Sequence, residues 1–238
     1  MPRIVITSFL FLVFSVGSVI ISRPGKTNVL IQAYISRYSL DAFSLVADTN
    51  YISQNIGRIC RALFELCLRH GWPSLSDTLL TLAKACEKRV WPFQHCLRQF
   101  DSILSAELLH KLENRRATFE RLYDMRAEEI GSLLKLNTPI GKKVRNCIDS
   151  FPNLDVSAIL QPITRTVVRV QVTIEAAFKW KDSIHGASQR WLLWVEDQHN
   201  EYIYHSDTVI FTKKQAHESP LVWSWKLRIL AITVSSHA

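Results

Sequence analysis

Glycine and proline are scarce in this chain, seven and eight among 238 residues. Such scarcity excludes collagen-like repetition and argues for helices joined by short connections. Apolar residues make up 47% and charged residues 21%, so wholesale disorder is excluded too. The length allows one or two domains with a real core. Cysteine is sparse and unpatterned: Cys60, Cys67, Cys86, Cys96 and Cys147 stand in no metal-ligand spacing. No zinc or other metal is expected, and reduced, buried thiols are the reading that remains. Even the charge is diffuse. The formal balance is +8, but Arg3, Arg23 and Lys26 in an acid-free stretch 1–26 account for three. Lys226 and Arg228 near the end account for two more, leaving +3 for residues 27–218. Net charge alone does not point to a polyanion.

Catalytic patterns are missing as well. Pro24-Gly25-Lys26-Thr27 ends like a phosphate-binding loop, but Ile20 stands where the pattern needs its earlier glycine. Asp182-Ser183-Ile184-His185 is only superficially an acidic helicase box, since its second residue is not Glu. No serine, cysteine or histidine has nucleophile-elbow spacing. Glu128 and Glu129 read as first-turn helix charges. No enzymatic activity and no cofactor are therefore expected.

Residues 4–21, IVITSFLFLVFSVGSVII, form one uncharged stretch flanked by Arg3, Arg23 and Lys26. Eighteen such residues just reach the length of a membrane span. A signal-peptide core and a non-native leader are the other readings of Ile4–Ile21.

Helical spacing dominates from Thr27 to His110. The clearest helix runs from about Asp48, its expected N-cap, to Arg69, with Gly71 just beyond its end. Ile52, Ile56, Ile59, Cys60, Leu63, Leu66 and Cys67 form its apolar stripe. On the other side lie Asn55, Arg58, Arg61, Glu65 and Arg69. Two readings of that polar side stand together. One is a solvated face in which Arg61, Glu65 and Arg69 pair at i,i+4. The other is a helix that tracks a nucleic-acid backbone, with Asn55, Arg58 and Arg61 on phosphates and Gly57 allowing close approach. Gly71-Trp72-Pro73 stops this helix, and Pro73-Ser74 opens a further one to about Arg89. Shorter helices follow across Ser105–Phe151, with Ser105 as a cap. The last of them carries Lys142, Lys143 and Arg145 beside Gly141, either a secondary phosphate-binding patch or solvated charge.

After Pro152 the period falls from 3.6 to 2. Val168, Val170, Val172 and Ile174 alternate with Val167, Arg169, Gln171 and Thr173. Trp191–Val195 and Tyr202–His205 flank Asp197-Gln198-His199-Asn200 as a hairpin, and Thr208–Thr212 reads as a further short strand. In Val222–Val234, Trp223, Trp225, Leu227 and Ile229 share one side of a substitute strand. Helices first and strands afterwards predict segregated domains. The β part looks sandwich-like but short of strands, so its apolar faces are expected to lack most of a second sheet.

Five separated blocks carry a resemblance across about 27–217. They are QAYISRYSLDAFSLVADTNYISQNIGRICRALFELCLRHGW, WPFQHCLRQFD, LYDMRAEEIGSLL, LQPITRTVVRVQV and HGASQRWLLWVEDQHNEYIYHS. In this order they resemble the Sec-sixty-three domain, an accessory unit of large superfamily-two RNA/DNA helicases. The wording is nearest the cointegrator-complex branch of that family, then the spliceosomal branch. The resemblance implies a multidomain fold, α then β: helical bundle, helix-loop-helix, then an incomplete fibronectin/immunoglobulin-like β-sandwich. The corresponding segments are 1–26 as leader, 27–104, 105–152, 153–218, and 219–238 as a divergent tail.

It also implies that the helix Asp48–Arg69 lines a nucleic-acid channel, with Gln54, Asn55, Gly57, Arg58, Arg61 and Arg69 as contacts. On this footing the partners are single-stranded RNA or DNA, bound weakly, and helicase motor domains or complex subunits. The expected location is the nucleus or cytoplasm. Three departures stand out. No motor domains precede the unit, Cys96 interrupts a block usually reading His-Pro-Leu-Arg-Gln-Phe, and the sequence diverges after Glu218. They suggest a fragment without its motor. The alternatives are a membrane-anchored interaction protein of translocon type, using Ile4–Ile21, and an inert truncated piece.

Overall fold

The computed structural model describes residues 3–5, 23–164, 166–218 and 220–228. Among these, 23–70 and 74–145 form one compact unit, and 3–5, 71–73 and 146–228 form another. The first is helical. The second is built mainly of strands, as the change of period predicted.

The helical unit begins with α1 (Arg23–Ile35), α2 (Phe43–His70) and α3 (Pro73–Lys88). Ile35, Ala85 and Cys86 form a small core, packed on by Ile31, Tyr34, Ile56, Leu82 and Trp91. α2 starts five residues before the predicted N-cap. Asp48 therefore lies inside the helix, and its carboxylate meets Lys26 Nζ of α1 at 2.6 Å. The cap role fails because Ala42 already supplies the first carbonyl, accepting from the Leu45 and Val46 amides at 3.0 and 3.1 Å. Downstream, Gly71 takes φ +73°, the left-handed conformation that closes a helix and suits glycine.

Two arginines lock α1 to α3 at their C-terminal ends. Arg37 and Arg89 both adopt left-handed backbone, φ 59° and 51°. Arg37 donates to the carbonyls of Lys88 and Arg89, at 3.4 and 3.2 Å, and also binds Asp101. Arg89 Nε reciprocates, donating to the Tyr34 carbonyl at 3.0 Å, and its guanidinium lies 4.6 Å above the Tyr34 ring. Each guanidinium thus donates to carbonyls at the C-terminal end of the other helix.

A short 3-10 turn (Cys96–Phe100) leads to α4 (Ala106–Asn114), α5 (Phe119–Asp124), α6 (Ala127–Leu134) and α7 (Thr138–Asp149), whose last turn enters the second unit. Ser105 caps α4 as predicted, accepting from the Leu108 amide at 3.4 Å, and Thr118 caps α5. Glu129 does more than complement the helix dipole, since it accepts from the Arg126 amide at 2.6 Å in a capping box. Arg98 grips Glu113 with two hydrogen bonds, 2.6 and 2.8 Å. Gly141, inside α7, is where that helix passes closest to α6. A Cβ there would lie 2.0 Å from the Ala127 carbonyl oxygen.

The second unit contains β2 (Leu154–Pro162), β3 (Val167–Ala176), α8 (Asp182–His185), β4 (Ser188–Glu196), β5 (Ile203–Thr212), α9 (Lys213–His217) and β6 (Leu221–Arg228). With β1 (Arg3–Val5) they make two antiparallel sheets, ordered β1-β4-β5 and β2-β3-β6. Val168, Val170, Val172 and Ile174 of β3 share one core with Leu193 and Val195 of β4, Val209 and Phe211 of β5 and Leu227 of β6.

The second sheet that the sequence reading found lacking is therefore present. Its missed strand is β2, whose inward positions Leu154, Val156 and Leu160 pack on the core while the exposed Ala158 interrupts their alternation. Its other edge is β6, which pairs with β3 through Trp223↔Val172 and Trp225↔Val170. That is the substitute strand expected after Ser219; its continuation through 229–234 lies outside the described residues. Thr208–Thr212 is no separate strand, because it continues β5 without a break. The β4–β5 turn is held by Asp197, which accepts from the Glu201 and Tyr202 amides at 2.6 and 2.9 Å.

His185 is a structural residue of this unit, 3% exposed. Its Nδ1 accepts from the Lys181 amide at 2.8 Å, and its Nε2 lies 2.9 Å from the Ser150 carbonyl, which accepts the remaining ring proton. Phe178 and Trp180 pack against the ring, with centroids 4.8 and 5.2 Å away. Gly186 follows at φ 65°, ψ −155°, a conformation open essentially to glycine alone.

Among the described residues no helix is long and apolar enough to cross a membrane. The stretch Ile4–Ile21 lies, beyond Val5, outside the described residues.

Candidate nucleic-acid interface

α2 is held by a narrow strip. Of its 28 residues only Cys60, Phe64 and Cys67 are fully buried. The predicted stripe is broader than the real one: Ile59, Leu63 and Leu66 are 52%, 44% and 49% exposed. Most of the helix circumference is thereby open, including the polar side.

At 3.6 residues per turn, Gln54, Arg58, Arg61, Glu65 and Arg69 lie on one side, turned away from Cys60 and Phe64. Gln54, Arg58, Arg61 and Arg69 are exposed and Asn55 half-buried. Asn55 Nδ2 donates to the Tyr51 carbonyl at 2.8 Å, and Arg58 Nη2 donates to Asn55 Oδ1 at 2.9 Å. The Arg58 guanidinium is thereby tethered over the helix surface while the residue stays exposed. From Gln54 to Arg69 the face runs about 22 Å along the axis.

Two members of this face were missed in sequence. Tyr51, 73% exposed, stands one turn before Asn55 and two before Arg58. Its ring is an open platform of the kind on which a base stacks. The signal was an aromatic on the polar side of an amphipathic helix. The other member is Glu87, from α3. Arg61 does not pair with Glu65 as the i,i+4 reading expected; its Nη2 lies 2.6 Å from Oε1 and 2.8 Å from Oε2 of Glu87. Gly57 lies beneath that carboxylate, where a Cβ would make ordinary contact with Glu87 Cγ at 3.5 Å. Arg69 falls in the last turn of α2, where positive charge also complements the helix dipole.

The second cluster is divided by the fold. Lys142 and Lys143 are exposed on α7. Arg145 turns inward, donating through Nη1 to the carbonyls of Tyr123 and Met125 at 2.6 and 3.0 Å. It closes the C-terminal end of α5. Gly141 is explained by the crossing with α6. Lys143 borders a half-open hollow of ≈ 230 Å³ together with Lys111 and Glu107, floored by Leu108, Leu136 and Ile140.

Thiol chemistry finds no support in the electrostatics. Burial pushes the Cys86 thiol up to about 12, with Cys60 and Glu87 adding to the effect. Burial does the same to Cys96. Neither supplies a thiolate near neutrality. Among the described residues no group of His, Cys, Asp or Glu could hold a metal ion.

The long, sparsely anchored α2 sits inside an α-then-β order, and comparison with known proteins gives that order a family. The family model for the Sec63 Brl domain matches residues 11–236. The chain belongs to the Sec63 Brl family.

Over 208 residues it is 46% identical to the DExH-box ATP-dependent RNA helicase DExH14 of Arabidopsis thaliana, covering 87% of this chain and 10% of that protein. It is 47% identical over 192 residues to the activating signal cointegrator 1 complex subunit 3 of Homo sapiens, covering 80% of the chain and 9% of that protein. With the human U5 small nuclear ribonucleoprotein 200 kDa helicase the identity is 40% over 198 residues, 83% of the chain and 9% of the relative. The chain thus spans about a tenth of the length of these curated relatives, as an accessory domain of large helicases would. The family match takes in every described element from α1 to β6, so the helical and the β unit both belong to it.

Proposed function

We propose that this chain is a helicase accessory module that binds single-stranded RNA or DNA weakly along the polar face of α2. Its protein partners are helicase motor domains or subunits of the complexes that carry them. It resides in the nucleus or cytoplasm, as the name of a small nuclear ribonucleoprotein relative suggests. The module itself does not hydrolyse ATP. Nothing in 238 residues offers a phosphate-binding loop or an acidic pair that would place magnesium against a γ-phosphate.

The observation that carries this reading is the exposed row Tyr51, Arg58 and Arg61, with the half-buried Asn55 beside it, on a helix anchored by only three buried side chains. Stacking on Tyr51 and phosphate contacts from Arg58 supply the two terms of sequence-tolerant single-strand binding. The affinity is set low by charge. Arg58, Arg61 and Arg69 share the area with Glu65 and Glu87, a net of +1. Dissociation constants of about 10⁻⁴ to 10⁻⁶ M are the range for such non-specific contact.

Fluorescence anisotropy with labelled single-stranded dT and rU 12-mers across a potassium chloride series tests it. Arg58→Glu with Arg61→Glu is expected to weaken binding at least tenfold at low salt and to flatten the salt dependence. A double variant that binds like the parent at every salt concentration would reduce this face to a solvated helix surface.

A further inference from the structure

The α2–α3 hairpin folds back so that position 87 returns beside positions 57 and 61. Among the described residues, Glu87 is the carboxylate that forms an ion pair with an arginine of the proposed interface. Its two oxygens lie 2.6 and 2.8 Å from the same Arg61 nitrogen, Nη2. The pair is solvent-facing, 62% exposed for the Arg61 side chain and 37% for Glu87. It is within reach of a ligand on α2. The Glu87 side chain also lies over Gly57, with Cγ and Oε1 3.5 and 3.6 Å from where a Cβ would stand.

Arg61 and Arg58 are three residues apart and lie on the same side of α2. Only one of the two meets an acid. Arg58 is held by the neutral Asn55 oxygen and keeps its full charge for an incoming phosphate. Arg61 already holds an anion. A carboxylate and a phosphate compete for one guanidinium because both offer it paired acceptor oxygens.

We propose that Glu87 is the residue that sets the strength of nucleic-acid binding on this face. It occupies the Arg61 guanidinium in the place of a phosphate, so the face engages with one cationic contact fewer than its arginines allow. The inference rests on the reading of α2 as a single-strand-binding face and identifies what limits it.

Glu87→Gln keeps the shape and removes the charge. By counterion release, one additional phosphate contact on a single strand steepens the slope of log K against log salt by about 0.7. Taking 1 M salt as the reference, that contact amounts to about eightfold tighter binding at 50 mM and about threefold at 200 mM. The experiment uses the full chain and the same dT and rU 12-mers, with Glu87→Gln, Glu87→Gln/Arg61→Gln and Arg58→Glu/Arg61→Glu beside the parent. Circular dichroism melts confirm that each variant folds.

The expected result is tighter binding and a steeper slope for Glu87→Gln, both lost when Arg61 is also replaced. Unchanged or weaker binding by Glu87→Gln, with Arg58→Glu/Arg61→Glu still impaired, would overturn the inference and leave the interface standing; Glu87 would then orient Arg61. If neither Glu87→Gln nor the double charge reversal alters binding, the interface itself is wrong and the inference falls with it.

Discussion

Two helical glycines of the first unit should respond oppositely to the same substitution. In Gly141→Ala the new methyl group on α7 would lie 2.0 Å from the Ala127 carbonyl oxygen, 3.0 Å from the Gly131 nitrogen and 3.1 Å from the Ala127 carbonyl carbon. All three are backbone atoms of α6, so no side chain can swing away. The two helices must part by more than about 1 Å to restore ordinary contact, beside the buried Ile130, Leu134 and Val144. Overpacking of this kind costs about 1–3 kcal/mol, and alanine recovers at most about 1 kcal/mol in helix propensity. A 2.0 Å approach to backbone belongs in the upper part of that range, so the expected net loss is about 1–2 kcal/mol.

On α2, by contrast, a Cβ at Gly57 would meet only Glu87 Cγ and Oε1, at 3.5 and 3.6 Å. There the propensity gain stands alone, and Gly57→Ala should stabilise by about 0.5–1 kcal/mol. Urea unfolding followed at 222 nm reads both, as midpoint shifts at constant slope. Gly141→Ala as stable as the parent would refute the tight α6–α7 crossing. A destabilised Gly57→Ala would refute the open surface assigned to α2. The second variant also bears on binding. If Gly57 admits a nucleic-acid backbone, affinity should fall while stability rises.

Two further outcomes follow from single side chains. Arg89→Ala removes the hydrogen bond to the Tyr34 carbonyl and the contact with its ring while keeping the unfavourable backbone at φ 51°; a loss of about 1–2 kcal/mol in chemical denaturation is expected, and no loss would mean the α1–α3 lock is idle. Burial holds the His185 imidazole below its ordinary 6.5, against the opposing hydrogen bonds to Ser150 and Lys181. The unfolded chain therefore takes up the proton first as pH falls, and the stabilising contribution, complete above 6.5, is lost through the folded-state value, with a slope of at most about 1.4 kcal/mol per pH unit. Tryptophan-detected unfolding between pH 7.5 and 5 should show this decline, and His185→Gln should reduce it without abolishing it, because burial also holds His95 below its ordinary value; an identical pH dependence in the variant would exclude His185 as a source.

Local rules were enough for most elements. The apolar alternation of Val168–Ile174 placed β3 and its inward face, because a half-buried strand must alternate. Ser105 placed the start of α4, and Gly71 the end of α2, because unsatisfied amides and carbonyls at helix ends need a cap or a left-handed turn. The α2 polar side was legible for the same reason, as a periodicity within one helix. Where a neighbour far along the chain decides, the sequence was silent. β2 was hidden because an edge strand need not keep strict alternation, and only its pairing with β3 defines it.

Asp48 looked like a cap until α2 proved longer and Lys26 stood across from it. Arg145 looked like part of a basic patch, but three carbonyls of the α5 turn claim it. The partner of Arg61 followed the same logic. Glu65, four residues away, met the one-dimensional rule, yet the hairpin delivers Glu87 from 26 positions along the chain. Periodicity determines which face of a helix is polar. Which charges on that face remain open to a ligand is decided by the elements folded against it, because an ion pair depends on distance in space and not on spacing in sequence.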